Sequence, residues 1–226
     1  MTSSRNLTVT FHGIGAPPIP IPDDERPFWA PPEQFSELVP QVLSIARTYG
    51  LEPLFTFDDG NLSDLEIAVP ILLRHKAQAI FFPCSGRIGQ PGYLTAENIR
   101  TMVAHGFGIG SHGIAHVPWA KLDRQGLKDE VNQSKAVLQE VSGQQVISAA
   151  LPFGSYRRAV LQALRKAGYR TVYSSDPGLS PAGRWFNYRF SYRNDRPFLP
   201  EQLITNASGP LTRIRRQVKT SLKSLR

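Results

Sequence analysis

Short β-prone apolar runs alternate along this chain with longer stretches whose apolar residues recur at helical spacing. Leu7-Thr8-Val9-Thr10-Phe11 reads as a core strand that stops at His12-Gly13-Ile14-Gly15. The segment Ala16-Pro17-Pro18-Ile19-Pro20-Ile21-Pro22 is too proline-dense for a helix or a central strand, so it is expected to be an extended loop. Residues 32–49 place Phe35, Leu38, Val39, Val42, Leu43 and Ala46 on one helical face, with Gly50 as the stop. Residues 51–57 form the next strand, which runs into Asp58-Asp59-Gly60. From there the pattern predicts helices over 63–75, 95–105 (capped by Thr95), 124–141 and 156–167, and strands over 79–83, 107–111, 145–151 and 170–174.

Alternating strands and helices argue for an α/β fold with a mostly parallel sheet and helices outside it. With about seven strands in one domain, a distorted (β/α)7-type barrel fits better than a split chain. The 226 residues, 41% of them hydrophobic, suffice for one core. We expect a catalytic domain over residues 1–210 and a tail over 211–226. In that tail Leu211, Ile214, Val218, Leu222 and Leu225 alternate with Arg213, Arg215, Arg216, Lys219, Lys223 and Arg226 as a basic amphipathic helix. Its stripe either docks on the domain or rests on an anionic membrane surface.

The net charge of +8 favours anionic partners. Nucleic acid is not expected, because no zinc-finger spacing, RNP aromatic motif or helix-turn-helix signature accompanies the charge. Cys84 is the single cysteine, so no intrachain disulfide forms; it reads as a small core residue. No apolar stretch approaches the ~20 residues that span a bilayer, and no signal-peptide pattern opens the chain. Cytoplasmic residence, peripheral to the membrane if the tail docks there, is therefore expected.

The candidate chemistry lies at strand ends. Asp58 and Asp59 close one strand, and His112 and His116, four apart, follow another; in a βα order both groups reach the same edge of the sheet. Adjacent strand residues point to opposite sides, so both carboxylates serve one site only if the backbone turns at Gly60. His112 and His116 share a face if their segment is helical. Two imidazoles and one carboxylate suit zinc or another first-row divalent ion, with cobalt and nickel as alternatives, and leave one Asp over. An iron oxygenase would use the same three ligands and leave that Asp without a role. The glycine-containing loop over residues 86–92 lacks the Lys-Ser or Lys-Thr ending of a phosphate loop and reads as a surface connection.

Thr56-Phe57-Asp58-Asp59-Gly60 and His112-Gly113-Ile114-Ala115-His116 resemble the first two motifs of the polysaccharide deacetylases with the NodB homology domain, carbohydrate esterase family 4, and Leu151-Pro152-Phe153-Gly154 resembles the third. Gly113 stands where that family usually has Ser or Thr, and Ala150 where it usually has the arginine that orients the catalytic carboxylate. The resemblance implies Asp58 as general base, Asp59, His112 and His116 as metal ligands, and the Phe153 N–H as oxyanion donor. The family's catalytic acid is a histidine in a late motif, and this chain has none after His116. Val9-Thr10-Phe11-His12-Gly13 has the form of that late motif, so the layout resembles the circularly permuted subgroup acting on poly-N-acetylglucosamine exopolysaccharide, with His12 as acid. Arg189, in an aromatic and basic segment, is expected to supply the missing base partner. Trp119, Trp185 and Tyr188 are expected to line sugar subsites. The implied activity is metal-dependent removal of N-acetyl groups from a glycan or a lipid-linked saccharide, against the alternatives of a metal-retaining homologue that binds glycan without turnover and a deacylase of another amide or ester.

Overall fold

The computed structural model describes residues 4–208. The basic tail expected over 211–226 lies outside the described residues. The chain runs β1 (Arg5–Phe11), β2 (Gly13–Ile14), β3 (Trp29–Ala30), α1 (Pro32–Thr48), β4 (Leu51–Asp59), α2 (Val69–His75), β5 (Ala79–Pro83), α3 (Ala96–Ala104), β6 (Gly108–Ile109), α4 (Arg124–Ser142), β7 (Ser148–Ala150), α5 (Arg158–Lys166), β8 (Thr171–Tyr173), β9 (Ser180–Pro181), β10 (Phe186–Asn187), β11 (Phe190–Ser191) and α6 (Pro200–Ser208). The expected alternation of strand and helix is what the structure shows. Among the described residues no helix is long and apolar enough to cross a membrane.

Parallel pairing orders one sheet β11-β1-β4-β5-β6, with β9 added antiparallel to β1, and a second sheet β10-β8-β7. A parallel bridge between Ser111 and Ala149 joins the two sheets beyond β6. On the other side, β10 pairs with β8 and β11 with β1, although only Tyr188 and Arg189 separate β10 from β11. The pairings thus form a ring of short ladders that stays open between β10 and β11, which no pairing joins among the described residues.

Period-two alternation divides the apolar residues into two sets. Phe11, Phe57 and Phe81 occupy one register row across β1, β4 and β5 and face α1 and its neighbours. Phe57 stacks on Phe81 at 4.7 Å, and Phe35 of α1 meets Phe11 edge-on at 4.9 Å. Such pairs add about 0.5–1.5 kcal/mol each beyond their burial. The opposite face holds a small separate cluster, Phe82, Ala150 and Tyr173, packed by Leu54 and Ile80. Residues of that inner face carry the polar groups of the site one step further along each strand.

Most helix limits match the sequence pattern, and the Thr95 cap forms a reciprocal box with Asn98. The helix expected over 63–75 differs. It opens with a π-helical turn, Asp64–Ala68, in which the Val69 N–H reaches back to Asp64 O. Pro70 has no N–H with which to resume the α ladder from below.

Candidate active site

Strand register brings the two motifs together. Phe11 of β1 pairs with Phe57 of β4, which sets His12 beside Asp58 at the same end of the ring. Asp58 still alternates with the strand and points to its interior, but Asp59 adopts φ 76° and Gly60 φ 80°. That left-handed turn abolishes the alternation and aims Asp59 at the same cavity. A side chain at residue 60 would place its Cβ 2.6 Å from Pro83 Cβ, so the turn admits glycine alone.

His112 and His116 also meet, though by a different route from the expected helix. Residues 112–118 form no regular element, and a left-handed bend at Gly113 (φ 82°) and His116 (φ 53°) brings the two rings to 5.3 Å. Ligand atoms of Asp59, His112 and His116 lie within 4.8 Å of one another. His112 Nδ1 donates to Ala150 O at 3.0 Å, which leaves Nε2 free to ligate. Asp59 Oδ1 lies 3.1 Å from His116 Nε2 and 3.7 Å from His112 Nε2, yet it is buried without a hydrogen-bond partner. A desolvated carboxylate oxygen that converges with two imidazole nitrogens and bonds neither fits a divalent cation.

Arg189 enters the interior from the segment between β10 and β11. It is fully buried and grips Asp58 through two bonds of 2.7 Å, Nη1 to Oδ1 and Nη2 to Oδ2. Its Nε donates to Ser174 O and its Nη1 also to Thr56 Oγ1, so the guanidinium is held on several sides. Burial alone would raise the Asp58 pKa, but the charge of Arg189, the nearby His112 and the bidentate bonds carry it well below the usual carboxylate range. The motif position at Ala150 is filled by a small residue packed against Phe82 and Tyr173, and the arginine comes instead from the segment between two strands late in the chain.

His12, Glu25, Phe28, Trp29, Asp58, Asp59, His112, His116, Phe153, Ser175 and Ser191 line a cavity of about 220 Å³. Burial lowers the pKa of His12, while Asp59 and Asp58 pull it up; its ring lies 4.8 Å from Phe28, and its buried Nδ1 has no partner. His112 is lowered to about 3 and His116 to about 4, mainly by burial, so both imidazoles are neutral near pH 7, as ligands must be. Phe153, at φ 55° in the 3-10 turn Pro152–Gly154, stacks on His116 at 4.4 Å while remaining 58% exposed. Among the described residues, three of the four non-glycine residues with positive φ, Asp59, His116 and Phe153, thus sit in this one site. Local backbone strain of that kind concentrates where geometry matters.

The aromatic residues expected at sugar subsites are elsewhere. Trp119 is fully buried and donates its Nε1 hydrogen to Glu130. Trp185 donates to Tyr169 O and lies under Arg165, and the Tyr188 ring packs edge-on to Phe186. None of the three lines the cavity; Phe28, Trp29 and Phe153 do. Phe28 and Trp29 end the loop after β2, and Asn194 pins that loop through bonds to Arg26 O, Pro27 O and Trp29 O.

The loop over 86–92, read as a surface connection, also contributes. Arg87 Nη1 lies 3.6 Å from Asp59 Oδ1 and Nη2 3.3 Å from His116 Nδ1. A guanidinium only donates, so the second contact takes His116 Nδ1 as acceptor. Cys84 is buried, with Sγ 3.6 Å from His112 O, as a core residue should be.

The polysaccharide deacetylase family model matches residues 52–172, a stretch that holds Asp58, Asp59, His112, His116 and Phe153 but not His12 or Arg189. YxkH of Bacillus subtilis, whose name places it among the polysaccharide deacetylases, is 30% identical over 155 residues, which cover 66% of this chain and 56% of that protein. The chain thus spans little more than half the length of that relative. The Streptococcus pyogenes deacetylase PplD, solved with acetate, superposes with a TM-score of 0.74 at 20% identity, covering 92% of this chain and 100% of the other. IcaB from Ammonifex degensii superposes at 0.67 and 20% identity, covering 91% and 96%. At such identity the likeness is one of fold, and it extends past both ends of the family match.

Proposed function

Because the chain belongs to the polysaccharide deacetylase family, we propose that it is a metal-dependent hydrolase that removes N-acetyl groups from N-acetylhexosamine units of a glycan. The observation that carries this reading is the Asp58–Arg189 pair standing beside the Asp59, His112 and His116 cluster, with His12 on the wall of the same cavity. A divalent ion, zinc in our reading, would be held by Asp59, His112 and His116, and would acidify a water and polarise the acetyl carbonyl.

Asp58, kept ionised and oriented by Arg189, takes a proton from the water that attacks the carbonyl carbon. The Phe153 N–H belongs to the first turn of a short helix, where no internal acceptor is available, and it donates to the developing oxyanion. As the C–N bond breaks, His12 in its protonated form gives its proton to the departing nitrogen; burial lowers its pKa, and Asp59 and Asp58 beside it pull the other way, toward the charged imidazole. Phe28, Trp29 and the exposed face of Phe153 are the surfaces on which a sugar ring would rest. The name of a Bradyrhizobium relative, chitooligosaccharide deacetylase, 28% identical over 151 residues, supports the amino-sugar class. An exopolysaccharide or a lipid-linked saccharide is the proposed substrate, the latter reached at an anionic membrane surface through the basic residues of 211–226.

Acetate release from N-acetylglucosamine oligomers, measured with and without chelator and after zinc or cobalt add-back, tests the reading. Chelator-sensitive release restored by metal is expected. A protein that holds metal and releases no acetate from any oligomer would contradict it.

A further inference from the structure

His112 and His116 stand at the two ends of a segment without regular secondary structure, so no ladder of its own fixes the distance between them. The frame of the fold supplies that constraint through α4. Glu130, buried on α4, accepts the Ile114 N–H at 2.7 Å and the Trp119 Nε1–H at 3.3 Å on Oε2, and the Ala115 N–H at 3.1 Å on Oε1. One helical turn further, Ser134 Oγ lies 2.6 Å from Ser111 Oγ, which in turn accepts the Gly113 N–H at 3.1 Å. Residues 130 and 134 share a helix face, and both grip the chain between 111 and 115.

Three donors converge on Glu130, and an ionised carboxylate is the side chain that only accepts. Its Oε2 also occupies the space a side chain at residue 113 would need, since a Cβ there would stand 2.3 Å from it. A residue with a Cβ at 113 would push this carboxylate, the end of a flexible side chain, out of its place, and it would also have to adopt φ 82°. Gly113 thus leaves the carboxylate room to reach the loop.

We propose that Glu130 is a positioning residue for the metal centre: by holding the two N–H groups that immediately precede His116, it sets that imidazole against Asp59 and His112. The inference rests on the metal-site reading above. It also explains Trp119, whose buried indole is a third donor to the same carboxylate rather than a platform for sugar.

The test is metal affinity of the full chain, by competition with a chromophoric chelator, together with the visible absorption spectrum of the cobalt-loaded protein. Glu130→Gln keeps the shape but turns a donor toward one of the three N–H groups. It should weaken metal binding by about 10-fold or more, the lower range for a disturbed outer-shell contact, and shift the cobalt bands. Gly113→Ala, which displaces the carboxylate and also strains the turn at φ 82°, should do the same and serves if Glu130→Gln does not fold. Trp119→Phe leaves both loop bonds intact and should leave affinity and spectrum unchanged while lowering thermal stability. If folded Glu130→Gln and Gly113→Ala bind cobalt with the affinity and spectrum of the unmodified protein, Glu130 is merely structural and the inference is overturned. Failure of the unmodified protein to take up metal would overturn the metal-site reading itself.

Discussion

Replacing Arg189 by methionine leaves Asp58, a carboxylate with 2% exposure, without its counter-ion inside the ring. Both guanidinium bonds to it are 2.7 Å long, so the pair is close and bidentate. Removing one partner of such a buried pair costs about 3–5 kcal/mol at neutral pH. For a chain of this size that is a fall in Tm of about 6–20 °C. The loss should depend on pH with a definite sign. In the native protein the folded-state pKa of Asp58 lies below its ordinary value of 3.8, so the pair's stabilisation is complete above that pH and fades as pH falls through the folded value. In the variant the charge and bonds of the guanidinium are gone, so burial, which raises the pKa of Asp58, is opposed only by the nearby imidazoles, and destabilisation then grows as pH rises from 3.8 through the raised value. The stability gap between the two proteins should therefore already be open near pH 4, because the native pair is fully formed there, and should widen further toward pH 8. Denaturant unfolding across that range in the presence of chelator measures it. A gap that is constant with pH, or below about 1 kcal/mol at pH 8, would refute the assignment of Arg189 as the charge partner of Asp58.

His12→Gln should lower acetate release by about 10²–10⁴-fold, the range for loss of a general acid, while metal content stays at the native level; undiminished turnover would remove His12 from the chemistry. Phe153→Ala keeps the backbone N–H but deletes the exposed ring, so we expect kcat to hold and KM to rise about 5-fold, the equivalent of ~1 kcal/mol of stacking. A collapse of kcat instead would tie the ring to the reaction itself. Asp64 is fully buried with both oxygens unpartnered, and burial followed by repulsion from Asp59 and Asp58 raises its pKa well above 3.8. Its carboxyl therefore detracts from stability as pH rises above 3.8. In chelator, Asp64→Asn should be more stable than the native protein by about 1–3 kcal/mol at pH 8, with the gain vanishing toward pH 4; a destabilised variant at pH 8 would show that the charge is wanted there.

The strand-helix order, the Asp pair at the end of β4 and the histidines after β6 were legible because they rest on local patterns: period-two and period-3.6 apolarity, glycine at turns and polar residues at strand ends. The placement of Arg189 against Asp58 was readable only through the resemblance, which made its counterpart at Ala150 conspicuous by being absent. The aromatics illustrate the limit. Trp119, Trp185 and Tyr188 and the cavity residues Phe28 and Trp29 are alike in composition, and what separates them is the course of the loop after β2. That course is set by Asn194, more than 160 residues away, and by Gly13, whose missing side chain leaves room for the Trp29 ring. Arg87 was missed for the same reason, since a loop of glycines and one arginine carries no sign of the direction in which the arginine turns.

Sequence by itself therefore determined which chemistry the protein can assemble: two carboxylates and two imidazoles at the ends of parallel strands, and the family to which their spacing belongs. Only the tertiary structure decided how those groups face one another. A left-handed turn at Asp59 defeats the strand alternation, an arginine from β10–β11 crosses the ring to Asp58, and a glutamate on α4 holds the loop between the histidines. Each of these joins residues far apart in the chain through burial and hydrogen bonds, and such couplings leave no periodic trace in the sequence because neither partner's neighbours report them.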